Sequence, residues 1–174
     1  KNTKKCLLVS GNTGIGKTRA IELILKQMKY NIVELNSDDE RDKEYIKTQI
    51  KPGMTTKNLD NIAHEIMKKE GATPSFLGYH GYPAVICVSV NEEVVHGIPS
   101  ENKIIHDGDL VSVDCGAIIE GWHGDAAITI CVGNVKPEHK KLSEITEKAL
   151  QIGIDAALPG KKIGDIGFAI EKFV

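Results

Sequence analysis

The sequence has no long apolar run and almost no excess of charge of either sign. No stretch reaches 18 consecutive apolar residues, so a transmembrane helix is not expected. The chain does not open with the basic, apolar and small-residue succession of a secretory leader, which predicts a soluble chain that is not exported. A net charge of −2 over 174 residues provides neither a basic surface for nucleic acid nor a charged stretch for a membrane.

Cysteine is also scarce, and its spacing argues against a disulfide framework. The four cysteines lie far apart, and no two of them form a C-x-x-C pair. In a chain without a leader, such cysteines indicate reduced thiols and therefore predict a cytoplasmic location. With 41% hydrophobic residues, the 174-residue chain can bury the core of one medium domain or two small ones.

The chain divides into two unlike parts near residue 50. Residues 5–35 show the pattern of a strand, a glycine-rich loop, a helix and a second strand, and the highly charged NSDDERDKEYIK follows. After Lys51, a turn and an amphipathic helix precede several β-type segments, and Pro137 begins another helix. We therefore expect an α/β (α+β) chain with a P-loop βαβ-like segment at 1–48 and a second domain at 49–174.

The loop GNTGIGKT fits the phosphate-binding pattern G-x-x-x-x-G-K-[ST] and lies between a predicted strand and a predicted helix. Its glycines allow backbone N–H groups to face phosphate oxygens, while the lysine reaches the β and γ phosphates and the threonine holds Mg²⁺. The predicted nucleotide-binding residues are Gly11, Gly14, Gly16, Lys17 and Thr18, with Mg-ATP as the ligand. An ordinary glycine-rich turn is the alternative.

Residues 5–43 resemble the AAA+ ATPases, and within them the large subunit of the sliding-clamp loader. The resemblance rests on LLVSGNTGIGKT and on YNIVELNSDDERDK, which looks like the next strand of that family and its polar ending. It implies ATP binding. The second acidic motif, the sensor residues, the arginine finger and the lid helices of the family have no counterpart, so ATP hydrolysis is not expected.

Two aspartates interrupt an otherwise apolar β-hairpin at residues 111–129. Glu120-Gly121 supplies the turn, and a hairpin symmetric about Ile119 and Glu120 places Asp114 directly opposite Asp125. Cross-strand neighbours lie roughly 5 Å apart at Cβ, where like charges repel. A divalent cation, or two metals that share a bridging carboxylate, would offset the repulsion. A shared proton and two unrelated, solvated aspartates are the alternatives.

A repeated pattern predicts two related halves. The segment KPGMTTKNLDNIAHEI at 51–66 is echoed by LPGKKIGDIGFAIEKF at 158–173, with the two Pro-Gly pairs 107 residues apart. Each copy predicts a turn, a helix N-cap and an amphipathic helix. Coincidence is the alternative to an internal duplication.

Residues from about 51 to 174 closely resemble the type I methionine aminopeptidases. The motifs YHGYP, VHGIP, DGDLVSVDCG and GWHGDAA carry the resemblance, in that order and spacing. It implies about half of a pita-bread α/β fold with pseudo-symmetric halves. It also implies removal of the N-terminal methionine of peptides or nascent chains by a centre of two divalent ions, with Mn, Co, Fe or Zn as the metal.

The same resemblance implies roles for individual residues. Asp114 and Asp125 correspond to two metal ligands, of which Asp125 is the bridging one. His96, in VHGIP, corresponds to the catalytic histidine that contacts the substrate near the scissile amide.

Three further residues correspond to the walls of the methionine pocket: Tyr79, Tyr82 and Cys87. An apolar pocket with a soft sulfur suits a thioether side chain. The remaining metal histidine, the second substrate histidine and two metal glutamates of the family would follow residue 174. We therefore expect an impaired or inactive aminopeptidase, with a P-loop ATP-binding module and a chimeric or truncated chain without native activity as competing hypotheses.

Overall fold

A computed structural model describes residues 48–174, which belong to two compact units, 48–141 and 142–174. The elements are α1 (Thr56–Lys69), β1 (Thr73–Pro74), β2 (Ile86–Val90), β3 (Leu110–Ile119), β4 (Trp122–Cys131), α2 (Pro137–Ala156) and α3 (Ile163–Phe173). None of these helices is long and apolar enough to cross a membrane. The predicted nucleotide-binding residues at 11–18 lie outside the described residues.

Helix α1 begins where the sequence predicts, with Thr55 as its N-cap. The Thr55 side chain accepts a hydrogen bond from the Asn58 N–H, and the Asn58 side chain accepts one from the Thr55 N–H. This reciprocal arrangement satisfies two N–H groups that the first helical turn leaves without partners. Leu59 and Met67 are buried on the face of the helix that packs into the core.

The long strand β3 is the centre of an antiparallel sheet. Strand β4 pairs with one edge of β3 along its whole length, while β1 and β2 pair with successive parts of the other edge. Alternate residues of β3 face opposite sides. Val111 and Val113 are buried in the core with Ile86 and Val88 of β2, whereas Ser112 and Asp114 lie on the other face. One face thus stabilises the unit and the other is polar.

The hairpin register differs by two residues from the register that the sequence predicts. Glu120 and Gly121 have φ values of 50° and 82° and form a two-residue turn closed by the pair Ile119 and Trp122. Both central residues of such a turn adopt positive φ, so the hairpin is centred between Glu120 and Gly121.

The prediction that Asp114 pairs directly with Asp125 is therefore wrong. Asp114 is paired with Ala127, and Asp125 with Gly116. Because the difference is an even number of residues, both aspartates still lie on the same face of the sheet, at diagonal positions.

EEVVHGI, residues 92–98, is one of the β-type segments that the sequence predicts after Lys51, but the chain forms a loop there instead of a strand. Asn91 and His96 have φ values of 55° and 59°, in the left-handed region that no strand contains. The Glu93 carboxylate also accepts a hydrogen bond from the Val90 N–H, which ends β2 as a local turn. Apolar Val94 and Val95 are consequently exposed, which explains why the hydrophobic pattern alone was misleading.

The second copy of the repeated pattern reproduces the backbone of the first. Gly53 and Gly160, 107 residues apart, have φ values of 91° and 83°. The side chain of Asp165 accepts a hydrogen bond from the Lys162 N–H at 2.8 Å, as Asn58 does from the Thr55 N–H at 3.0 Å. In both copies a left-handed glycine turn leads into a helix whose third residue caps its own start, which supports the predicted duplication.

Candidate metal and substrate site

The polar face of the sheet places the two aspartates at neighbouring diagonal positions, close enough for the charge of one to act on the other. Burial of Asp114 raises the pKa of its carboxyl, and the charge of Asp125 raises it further, whereas His96 lowers it. The two alternatives for this pair, a shared proton and a bound cation, are thus both chemically open to it.

Cys87 lies directly across the ladder from Asp114, because β2 pairs with β3 in the register Cys87 to Asp114. The cysteine is buried. Burial raises the pKa of its thiol, and the charges of Asp114 and Asp125 raise it too, while a hydrogen bond with Tyr82 lowers it. The thiol is therefore a neutral, soft group at neutral pH rather than a nucleophile.

Tyr82 is a neighbour of Cys87 and is anchored by its hydroxyl group. The phenol oxygen is 3.1 Å from the carbonyl oxygens of both Ile86 and Gly97, so its single hydrogen is shared between them. Burial first, and then the hydrogen bond with Cys87, raise the pKa of Tyr82. Its hydroxyl thus stays protonated and serves as a structural donor.

His96 lies in the loop that follows β2 and is exposed. It lowers the pKa of the Asp114 carboxyl, so the imidazole lies within electrostatic range of Asp114. Its φ of 59° is uncommon for a histidine, and residues held in such conformations cluster at functional sites. The structure therefore brings His96, Cys87 and Tyr82 around the two aspartates.

Tyr79 is joined to this group through its backbone, because its carbonyl oxygen accepts a hydrogen bond of 2.9 Å from the Tyr82 N–H, but no described side-chain contact links it to the aspartates. It lies in the 3₁₀ turn Tyr79–Gly81, is 69% exposed, and packs edge-on against the ring of His80. Its assignment as a pocket wall stays a prediction.

Residues that the sequence patterns did not single out build the surroundings of this site. Asp60 is buried on α1, and its Oδ1 accepts hydrogen bonds from the N–H groups of Val85 and Ile86 at 2.8 and 3.2 Å. It thereby fixes the start of β2 just before Cys87. The sequence signal that could have identified Asp60 is its position on the same face of helix α1 as the buried Met67.

The aromatic ring of Phe76 covers the face beside Asp125. Gly116 is opposite Asp125, and a Cβ atom at Gly116 would lie 2.6 Å from the Phe76 ring. A glycine at this position therefore allows the ring to lie against the sheet next to the carboxylates. Ser75, the preceding residue, makes a hydrogen bond of 3.2 Å with His123 Nδ1.

The aspartate pair fits a divalent cation in its chemistry but supplies few ligands. Carboxylate oxygens are the donors that hard cations prefer, and a cation would relieve the repulsion between them. Within residues 48–174, however, no group of three or more histidine, cysteine, aspartate or glutamate side chains could hold a metal ion. The described part of the chain thus contains at most a fraction of a metal centre.

Neither described cavity lies at the carboxylate pair. A cavity of about 30 Å³ lies between α1 and the apolar face of the sheet, next to Leu59 and Val113. A surface depression of about 220 Å³ lies beside Asn91 and Asp109. The carboxylate pair therefore lies on the polar face of the sheet, apart from both of these cavities.

Comparison with known proteins shows that this part of the chain is similar to peptidases. The family model of metallopeptidase family M24 matches residues 40–174. Methionine aminopeptidase 1 of Mycobacterium tuberculosis is 52% identical over 126 residues, which are 72% of this chain and 47% of the relative. Methionine aminopeptidase 1 of Bacillus subtilis is 50% identical over 131 residues, 75% of this chain and 52% of the relative.

Solved structures agree with the sequence relatives. The crystal structure of methionine aminopeptidase from Thermotoga maritima matches with a TM-score of 0.73 and 36% identity, covering 82% of this chain and 62% of that structure. The chain spans about half the length of the curated relatives it matches. These findings all concern the methionine aminopeptidase-like region, and none of them supports the P-loop or a chimeric origin.

Proposed function

This chain belongs to metallopeptidase family M24, and from that membership we propose that residues 48–174 carry part of a methionine aminopeptidase-type centre. In this proposal Asp114 and Asp125 bind a divalent metal. The observation that carries it is the position of the two carboxyls on one polar face, at diagonal places of the hairpin, with Cys87 directly across the ladder from Asp114. The relatives named methionine aminopeptidase support the substrate, the N-terminal methionine of a peptide.

The side chains around the aspartates suit the steps of peptide hydrolysis. A divalent metal, when bound, would supply Lewis-acid activation of the carbonyl and of water. His96 would donate a hydrogen bond to the carbonyl oxygen as negative charge develops there. The neutral, buried thiol of Cys87 and the ring of Tyr82, with Tyr79, would contact the thioether of the substrate.

Metal binding by the aspartate pair can be tested without measuring activity. We expect Mn²⁺ to raise the melting temperature of the wild-type chain, because a ligand at 100 times its dissociation constant stabilises the folded state by about 2.7 kcal/mol. Asp125→Asn should abolish this shift. Glu120→Gln removes an exposed carboxylate from the turn of the same hairpin and should retain it. An equal Mn²⁺ shift in all three proteins would show that the metal binds elsewhere.

Peptide hydrolysis needs a separate assay. We expect any activity to release methionine from a Met-Ala-Ser peptide with Mn²⁺ or Co²⁺ present and to leave the N-acetylated peptide intact. His96→Ala should lower the rate by about 10²-fold or more, as expected for the loss of a donor to a developing oxyanion. Metal binding without release of methionine would restrict the proposal to a metal-binding domain.

ATP binding at Gly11, Gly14, Gly16, Lys17 and Thr18 remains a prediction from the sequence alone, as do the domain boundary at 48/49 and the cytoplasmic location. Its test is a thermal melt with Mg-ATP, in which Lys17→Ala should lose any stabilisation. No shift in the wild-type chain would remove ATP as a ligand of this protein.

A further inference from the structure

The loop that contains His96 is hydrogen-bonded to β2 through Gly97. The Gly97 carbonyl oxygen accepts a hydrogen bond of 2.9 Å from the Val88 N–H and lies 3.1 Å from the Tyr82 hydroxyl oxygen. The Gly97 N–H donates to Ser89 Oγ at 3.1 Å. Both backbone polar groups of Gly97 are therefore hydrogen-bonded. Its carbonyl oxygen binds the Val88 N–H of β2 and the Tyr82 hydroxyl, and its N–H binds the Ser89 hydroxyl.

The approach of this loop to the strand is too close for any side chain at residue 97. A Cβ atom there would lie 2.2 Å from the carbonyl oxygen of Val88, well inside van der Waals contact. Ser89 is itself only 4% exposed, so its hydroxyl is shielded from water and available to the loop. The loop is thus held by a buried, complementary contact rather than by chance proximity.

The residue before this contact has an unfavourable backbone conformation. His96 has a φ of 59°, and a non-glycine residue adopts this region only where its surroundings hold it there. Val88, to which Gly97 is bound, follows Cys87, and Cys87 lies opposite Asp114. Fastening Gly97 therefore holds His96 next to the carboxylate pair.

We propose that Ser89 and Tyr82 are positioning residues whose hydroxyl groups clamp Gly97 from two sides and thereby keep His96 in the left-handed conformation beside Asp114. The assignment rests on the proposed function, since it is His96 that would contact the substrate. It gives the Tyr82 hydroxyl a role separate from that of its ring: the ring can contact a ligand, while the hydroxyl orients the catalytic histidine through Gly97.

The clamp can be tested on the full chain by NMR, using Ser89→Ala and Tyr82→Phe. A residue with positive φ gives a strong intraresidue nuclear Overhauser effect between its amide and Hα protons. We expect both variants to lose this signal at His96, and Ser89→Ala to exchange the Gly97 amide hydrogen at least tenfold faster. Ser112→Ala is the matched control, because Ser112 pairs with Ser89 across the ladder but its hydroxyl contacts Thr129.

Each outcome decides the proposal. Retention of the wild-type signal at His96 in both variants would overturn it, and so would loss of the signal in Ser112→Ala, which would indicate a general loosening of the sheet. If Ser89→Ala does not fold, Tyr82→Phe decides alone, because it removes one oxygen atom and keeps the ring. Neither readout needs metal or turnover, so a clamp without Mn²⁺ binding would refute the proposed function while leaving the clamp intact.

Discussion

Replacing Asp125 by asparagine should stabilise the metal-free chain, although it removes a site residue. Asp114 and Asp125 lie at diagonal positions on one face of the hairpin, and the charge of Asp125 acts on the carboxyl of Asp114. Two unit charges about 5 Å apart repel by roughly 3 kcal/mol at an effective dielectric constant of 20 and by roughly 1 kcal/mol in bulk water. Because Asp125 is exposed, we expect the lower end of this range, about 1 kcal/mol at pH 7.5.

The gain should depend on pH in a defined direction. Burial and the charge of Asp125 raise the pKa of Asp114 above its ordinary value of 3.8. A group with a raised folded-state pKa contributes stability that is present below the unfolded pKa and is lost as pH rises through the folded pKa. The wild-type chain should therefore lose stability relative to Asp125→Asn as the pH rises from the ordinary pKa of Asp114 through its raised pKa in the folded chain. The stability advantage of the variant should shrink as the pH falls.

Urea unfolding of both proteins, with and without Mn²⁺ and at several pH values, measures this prediction. Without metal, Asp125→Asn should have the higher midpoint at an unchanged slope. With saturating Mn²⁺ the order should reverse, because only the wild-type pair gains from the cation. Glu120→Gln should follow the wild type in both conditions. An Asp125→Asn chain that is less stable than the wild type without metal would refute the idea that the pair is repulsive.

Three further changes test the framework of the site. Gly97→Ala should destabilise the chain by about 2–4 kcal/mol in urea unfolding, because its Cβ would lie 2.2 Å from the Val88 carbonyl oxygen. Asp60→Ala should cost about 2–4 kcal/mol by leaving two strand N–H groups buried without an acceptor, whereas Asp60→Asn, which keeps an acceptor oxygen, should cost less. The hydrogen bond from Lys103 lowers the pKa of Glu93, so Glu93→Gln should cost under about 1 kcal/mol at pH 7. The difference should begin to shrink as the pH falls below the ordinary pKa of 4.5 and should vanish below the lowered pKa of the folded chain.

The local elements of the described region could be predicted from sequence because short-range physics determines them. Helix α1 begins after Thr55, and α2 begins at Pro137, as capping and proline preferences require. The loop around His96 could not be predicted in this way. Val94 and Val95 continue an apolar pattern, which contains no sign of the hydrogen bond between Glu93 and the Val90 N–H or of the contact of Gly97 with β2.

The sequence motifs predict candidate residues for the site, but they do not predict the residues that hold these candidates in place. Motifs single out residues that carry chemistry, such as Asp114 and His96, since their side chains are chemically unusual where they occur. The motifs do not identify Ser89 and Asp60, because a serine in a strand or an acidic residue in a helix is common. Their importance arises only when folding buries them against backbone groups that have no other partner.

The two aspartates lie on the same face of the sheet in the predicted register and in the observed one, because of the geometry of a β-sheet. The sequence symmetry placed the hairpin centre one residue too early, and each cross-strand pair shifted by two positions. Side chains alternate between faces with a period of two, so an even shift keeps both carboxylates on one side, while an odd shift would have separated them. The difference still has a chemical consequence. Diagonal carboxylates can both reach a cation placed between Asp114 and Asp125, whereas the space opposite Asp125, at Gly116, is filled by the ring of Phe76.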